Sequence, residues 1–184
     1  MKRLIWILAM TATLASAQEK QSAEAQNVEL TVYLLTGAAG GQAADEVPQD
    51  LTATVKQLHS VFTYKSYRLA DSFVLRGRSY TSSSAGRGAY TDGILPANAL
   101  HYRFGYNRLW VTGDPPRTVH VDGLNLNLSR PPVTTKDGKQ RSDGVASINT
   151  DLDVRDGQKT VVGKSSVDTT GDALILVIVP KVIE

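Results

Sequence analysis

From Val28 to Thr36 the chain alternates, with Val28, Leu30, Val32 and Leu34 on one side and Glu29, Thr31 and Tyr33 on the other. A period of two predicts a half-buried strand. The pattern then changes. Leu51, Val55, Leu58 and Phe62 recur at helical spacing, so they fall on one face of an amphipathic helix packed on a sheet. Asp45 or Glu46 is the expected cap, and Pro48 suits the first turn. Strand patterns dominate afterwards. Residues 64–76 read as one long strand or two short ones, with Tyr67, Leu69, Phe73 and Leu75 as the apolar positions. Residues 99–113 and 117–128 follow. In the latter, Val119 and Val121 share a phase that Leu124, Leu126 and Leu128 leave by one residue, which places a bulge or turn at Asp122-Gly123.

The last forty residues are the easiest to read. Ile148, Leu152 and Val154 lead into Asp156-Gly157, a hairpin-turn signal. A strand over 160–167 follows, then a turn from Asp168 to Asp172. The run Ala173 to Val179 is apolar without alternation, which fits a strand buried on both faces. Loops are expected at 37–44, 81–88 and 129–144. The fold class is therefore α+β, mostly β: about eight strands and one amphipathic helix, with no internal repeat. We expect one β-rich domain over 28–184, with a βαβ-like start over 28–80 and a β-hairpin tail over 145–184. Residues 18–27 form a polar, flexible arm.

The first residues read differently. Lys2 and Arg3 precede a short apolar stretch from Leu4 to Leu14, and Ala15-Ser16-Ala17 supplies small residues. That order is a secretory signal over 1–17, with cleavage expected between Ala17 and Gln18. The stretch is shorter than the about 20 apolar residues of a membrane-spanning helix. No integral span is expected after cleavage. The protein is expected to be exported, to the periplasm, the outer envelope or the medium. The sequence has no Cys, which removes disulfides, thiol catalysis and thiolate metal sites. A domain near 150 residues buries roughly 70% of its unfolded surface, enough to hold without staples.

The formal net charge of +2 includes Lys2 and Arg3, so a chain cleaved after Ala17 is neutral. That balance argues against nucleic acid as a partner. Charge is nevertheless uneven. Residues 56–117 carry nine Lys or Arg against three Asp, between two more acidic flanks.

Candidate chemistry is sparse. Gly157 to Ser165 (GQKTVVGKS) mimics a phosphate-binding loop, but it has one residue too many between its glycines. Turn residues follow Lys-Ser where a helix must begin. A strand explains it better, with Val162 facing the core and Lys164 on the same face near the strand's end. Asp151, Asp153 and Asp156 interleave with Leu152 and Val154, as on the solvent face of a strand rather than in a calcium loop. His59, His101 and His120 lack ligand spacing. A GxSxG elbow is absent, and nothing nominates a carboxylate pair. We therefore expect no catalytic residues, no metal site, no cofactor and no enzymatic activity. One diffuse feature remains. Arg and aromatic residues interleave through the basic middle, and Arg68, Tyr102, Arg103, Arg108 and Trp110 are the candidate ligand or partner face.

The segment Asp156-Gly157-Gln158-Lys159-Thr160-Val161-Val162-Gly163, with the closing ALILVIVPKVI over 173–183, resembles the C-terminal end of the bacterial secretin family. There a DGQT-like turn and a VVxG strand precede a last strand that ends apolar-Pro-basic-apolar, as Pro180, Lys181, Val182 and Ile183 do here. The chain departs from secretins in joining these strands through only Lys164 to Asp172, with no long gate segment. As a whole it also resembles secreted proteins of environmental bacteria that combine this tail with an LTV strand, a PxxL helix and a YKSYRL strand. The resemblance implies a non-enzymatic envelope module that assembles with itself or with a secretion or pilus apparatus. The alternative, from the Arg/Tyr-rich middle, is a soluble periplasmic module for an anionic or glycan ligand.

Overall fold

A computed structural model describes residues 26–40, 44–79, 88–95, 99–134, 137–167 and 171–183. The expected signal segment and most of the arm lie outside the described residues. Eleven strands and one α-helix are described, in the order β1 (Asn27–Ala38), a 3-10 turn (Gln49–Leu51), α1 (Thr52–Val61), β2 (Ser66–Arg78), β3 (Ala89–Leu95), β4 (Leu100–Tyr106), β5 (Arg108–Thr112), β6 (Thr118–Ser129), β7 (Val133–Thr134), β8 (Gln140–Arg141), β9 (Gly144–Arg155), β10 (Thr160–Ser166) and β11 (Ala173–Ile183). The mostly β, α+β class holds. The count exceeds eight for three reasons. Gly-interrupted β3 is too weakly patterned to read, the expected strand over 99–113 breaks at Asn107, and the polar loop over 129–144 contains the two-residue pair β7–β8.

Two sheets carry the fold. The first has the order β10-β11-β1-β2, with every pairing antiparallel. The second is centred on β6. β9 pairs with β6 along its length, while β4 and β5 share the other edge of β6, each along one half. β3 extends the second sheet beyond β4. Even-numbered residues of β1 (Val28 to Leu34) and of β11 (Leu174, Leu176, Ile178) meet Tyr102, Phe104, Val119, Val121, Leu124, Leu126 and Leu128 of the second sheet in one core. The opposite face of the first sheet offers Leu35, Tyr67, Ile175 and Val177 to Leu51, Val55 and Leu58 of the helical segment. The layers are therefore helix, sheet, sheet. β11 lies in the middle layer, which is why its sequence cannot alternate: both of its faces are core.

The helical stripe packs as its spacing predicts, and Leu58 is only 3% exposed. Leu58→Ala is expected to cost about 2–5 kcal/mol in chemical denaturation. A loss under about 0.5 kcal/mol is the behaviour of a surface site and would contradict the packing. The capping expectation is corrected. Neither acid caps α1, which begins through the 3-10 turn without a side-chain cap. Asp45 accepts a hydrogen bond from the Tyr67 backbone N–H at 2.8 Å and pairs with His59 at 2.8 Å. Glu46 bridges to the start of β2 through its backbone. Both acids thus tie the connection to the sheet, and Asp45 also holds the helix through His59 rather than by capping it.

Two topological expectations are also corrected. The strand–helix–strand start exists, but β1 and β2 are antiparallel neighbours, so it is not a βαβ crossover. The Asp156-Gly157 turn does not close a hairpin either. β9 pairs with β6 in the second sheet, and β10 pairs with β11 in the first. Tertiary contacts decide this. The Asp156 N–H donates to the Arg117 carbonyl, the Gly157 N–H to the Pro180 carbonyl at 2.7 Å, and Val182 N–H to the Asp156 carboxylate at 2.9 Å. Gly157, at φ 74°, thus makes a corner between sheets. The tail hairpin is β10–β11.

Bulges set which residue faces which layer. Ala70 is extra in β2 where Leu34 opposes Asp71 and Leu35 opposes Leu69. Tyr67 and Leu69 therefore face the helix, and Phe73 and Leu75 face the second sheet. Val162 is the extra residue in β10, between Val161 opposite Val177 and Gly163 opposite Leu176. This overturns the expected phase: Val162 packs on the inter-sheet core, while Lys164 opposes Ile175 on the helix side. Lys164 donates a hydrogen bond to the Tyr64 hydroxyl at 3.1 Å and lies over the Phe62 and Tyr64 rings. The segment that mimics a phosphate loop is this strand. Among the described residues no helix is long and apolar enough to cross a membrane.

Candidate binding face

The outer face of the second sheet is polar because each strand keeps period two against the core. In β4, Leu100, Tyr102, Phe104 and Tyr106 are buried, leaving His101, Arg103 and Gly105 outward. In β6 the phase change at Asp122-Gly123 appears as the expected bulge. Gly123 has φ 63°, and a Cβ there would collide with the Asn107 side chain. The Gly123 N–H instead donates to the Asp151 carboxylate at 2.7 Å. After the bulge Leu124, Leu126 and Leu128 return to the core, and Asn125 and Asn127 point out. In β9, Ser147, Asn149, Asp151 and Asp153 alternate outward with half-buried Ile148, Thr150 and Leu152.

The registers align these residues in rows across the sheet. One row runs Tyr90, Gly105, Asn125, Asn149. Its neighbour runs Asp92, Arg103, Asn127, Ser147. A third, at the other end, runs Trp110, His120, Asp153. Because Gly105 has no side chain, the first row dips. A depression of about 360 Å³ is lined by Tyr90, Arg103, Gly105, Asn107 and Asn125 among others. A second, of about 460 Å³, continues it past Asn107, Asn125 and Asn149.

Arg103, Arg108 and His120 each have a carboxylate partner on this face. Arg103 donates to the Asp92 carboxylate at 2.8 Å, with its guanidinium 5.8 Å from the Tyr90 ring centre. That hydrogen bond, then the carboxylate's charge, raises the Arg103 pKa. Arg108 pairs with Asp122. His120 shares hydrogen bonds with Asp153 at 2.5 Å and Thr112 at 2.7 Å, and Trp110 stacks on its ring at 5.0 Å and 9°. This chain of side chains clamps β5, β6 and β9 together and holds the imidazole in one orientation.

The structure does not gather the five residues nominated from sequence. Arg103, Arg108 and Trp110 share the outer face of the second sheet. Arg68 lies on β2 of the first sheet, paired with Glu46. Tyr102 points inward. Its hydroxyl donates to Asp71 at 2.7 Å and its ring stacks on Phe73. Burial, then that hydrogen bond and the Asp71 charge, raise the Tyr102 pKa far above its ordinary value. Tyr90, Asn125 and Asn149 were not legible as face residues, because Tyr90 stands in the weakly patterned β3 and the two asparagines carry neither charge nor a ring. The usable signal was Asn125 and Asn127 at period two between leucines.

No protein-family model and no curated protein matches the chain. Among solved structures it is similar to the secretin InvG of the Salmonella SPI-1 type III secretion injectisome, at 13% identity and a TM-score of 0.38, over 87% of this chain and 65% of that one. The structure of the injectisome basal body proteins InvG, PrgH and PrgK gives the same identity and TM-score over 46% of its chain. The V. cholerae type IV competence pilus secretin PilQ gives 13% identity and a TM-score of 0.34, over 86% of this chain and 57% of that one. The chain spans less than two thirds of each of these secretin chains.

Proposed function

We propose that this chain is a non-enzymatic assembly module of the bacterial envelope, which joins further copies of itself, and through them a secretion or pilus apparatus, by pairing strand edges. One observation carries the reading. β9 is twelve residues long, is paired on one side by β6, and among the described residues has no strand on its other edge. Natural edge strands are shortened, bulged, or protected by charged residues or Pro; the stretch of β9 from Ala146 to Thr150 has no charge, no Pro and no bulge. From Ala146 to Asn149 it runs in unbroken register with β6, a ready template for strand addition. At the opposite edge of the same sheet lies β3. Pairing β9 of one copy with β3 of the next is a head-to-tail contact, which closes into a ring or propagates as a filament. The export signal expected at the N-terminus and the secretin-like tail favour an envelope location.

The absence of Cys makes the test direct. Cysteines introduced at Ser147 on β9 and Asp92 on β3 are expected to cross-link copies under mild oxidation into a ladder, since paired strands bring Cα atoms within the roughly 4.4–6.8 Å a disulfide needs. The same pair at Lys181 and Asp92 is expected to give none. A protein that stays monomeric by light scattering at high concentration, and gives no ladder, would refute the proposal.

A further inference from the structure

We propose that the trough across the outer face of the second sheet binds an uncharged glycan chain, laid perpendicular to the strands along the row Tyr90, Gly105, Asn125 and Asn149. This inference is independent of edge pairing, which uses strand edges rather than the sheet face.

The geometry comes first. Three inter-strand steps separate Tyr90 from Asn149, or about 14 Å at normal strand spacing, which accommodates about three pyranose rings. Gly105 keeps the floor low. A Cβ at that position would already press on the Ala89 carbonyl at 2.9 Å and the Tyr90 Cβ at 3.1 Å. The two depressions share Asn107 and Asn125, so the trough continues from β3 to β9.

The groups along the trough are those that recognise sugars. At one end Tyr90 is 73% exposed on a strand whose inward residues are half-buried or buried. Its ring presents a negative π face to the C–H groups of a pyranose. Along the rest stand Asn side chains, each with two donors and an acceptor, which matches vicinal hydroxyls that both donate and accept. These amides are ordered in advance. Asn125 Nδ2 donates to the Gly123 carbonyl at 3.1 Å, and Asn127 Nδ2 donates to Asn125 Oδ1 at 3.5 Å. Such sites combine an apolar platform with a few convergent polar groups.

Charge selects among ligands. An anionic chain needs cations to neutralise it, and the arginines nearest the trough are already paired, Arg103 with Asp92 and Arg108 with Asp122. Asp151, beside the trough, adds a carboxylate that repels anions. The ligand that fits is rich in hydroxyls and carries no charge.

The test is calorimetric titration of the exported chain with the hexaoses of β-1,4-glucose, α-1,4-glucose and β-1,4-N-acetylglucosamine, and with heparin as the anionic probe. At least one hexaose is expected to bind. Tyr90→Ala and Asn125→Ala are each expected to weaken it tenfold or more, Tyr90→Phe to retain it, and Trp110→Ala, outside the trough, to leave it unchanged. Asn149→Ala, at an exposed position, gives a second readout should Asn125→Ala lower the melting temperature. No binding to any of the three hexaoses, binding to heparin alone, or hexaose binding indifferent to Tyr90→Ala and Asn149→Ala would each overturn the proposal.

Discussion

Ile175→Ala and Leu176→Ala are each expected to lower stability by about 2–5 kcal/mol, although the two residues are adjacent and point in opposite directions. In a strand with one face in water, one of two neighbours is cheap to truncate. Here neither is. Ile175 packs against the helix and Leu176 against the second sheet, and both are fully buried. The two side chains lie in separate core clusters but share one strand backbone, so the double variant is expected to lose more than either single variant, up to roughly 4–10 kcal/mol. Typical domains hold only about 5–15 kcal/mol, and the double variant is expected to be largely unfolded at room temperature. Lys181→Ala, on an exposed position of the same strand, is the control and should change stability by under about 0.5 kcal/mol. Urea denaturation followed by tryptophan fluorescence measures all four proteins. A small loss at Ile175 alone would mean that the helix does not cover the sheet.

That strand also shows how much of the fold can be read from the chain. Periodicity exposes burial, so β1, β6, the helix stripe and the two-sided β11 are all legible. The bulge at Asp122-Gly123 was visible too, because a phase slip of apolar residues has few other causes. Partner choice is not local. Asp156-Gly157 has the composition of a hairpin turn, yet hydrogen bonds to the carbonyls of Arg117 and Pro180 and from the Val182 N–H, each remote in sequence, make it a corner between sheets. The same limit applies to the face residues. Arg68, Tyr102 and Arg103 look alike in a string of Arg and Tyr, but Tyr102 falls on the inward phase of β4 and Arg68 on a different sheet. Asn125 and Asn149 are brought opposite one another only by the β6–β9 register.

Strand propensity alone says that Gly93→Val should stabilise β3, since valine suits a strand and glycine weakens one. The opposite is expected. Gly93 opposes Tyr102 across the β3–β4 pair, and the Tyr102 ring lies where a side chain at 93 would be. The ring cannot swing away freely, because it stacks on Phe73 at 5.6 Å and its hydroxyl is held by Asp71. Valine would therefore overpack the core and break that hydrogen bond together, for about 2–6 kcal/mol. Tyr102→Phe breaks the bond without overpacking, and about 1–3 kcal/mol is expected. The two variants also separate by pH. Tyr102 in the folded protein has a pKa above the 10.0 of an unfolded tyrosine. Between those values the folded state keeps a proton that the unfolded state has lost, so the contribution is complete below pH 10 and falls as pH rises further. Tyr102→Phe is accordingly expected to flatten the alkaline loss of stability, leaving the smaller share of Tyr33 and Tyr67, whose pKa values are also raised by burial. Melting curves from pH 7 to 11 measure this. A Gly93→Val variant as stable as the parent, or a Tyr102→Phe variant with an unchanged alkaline slope, would show that the tyrosine is not pinned between Gly93, Phe73 and Asp71.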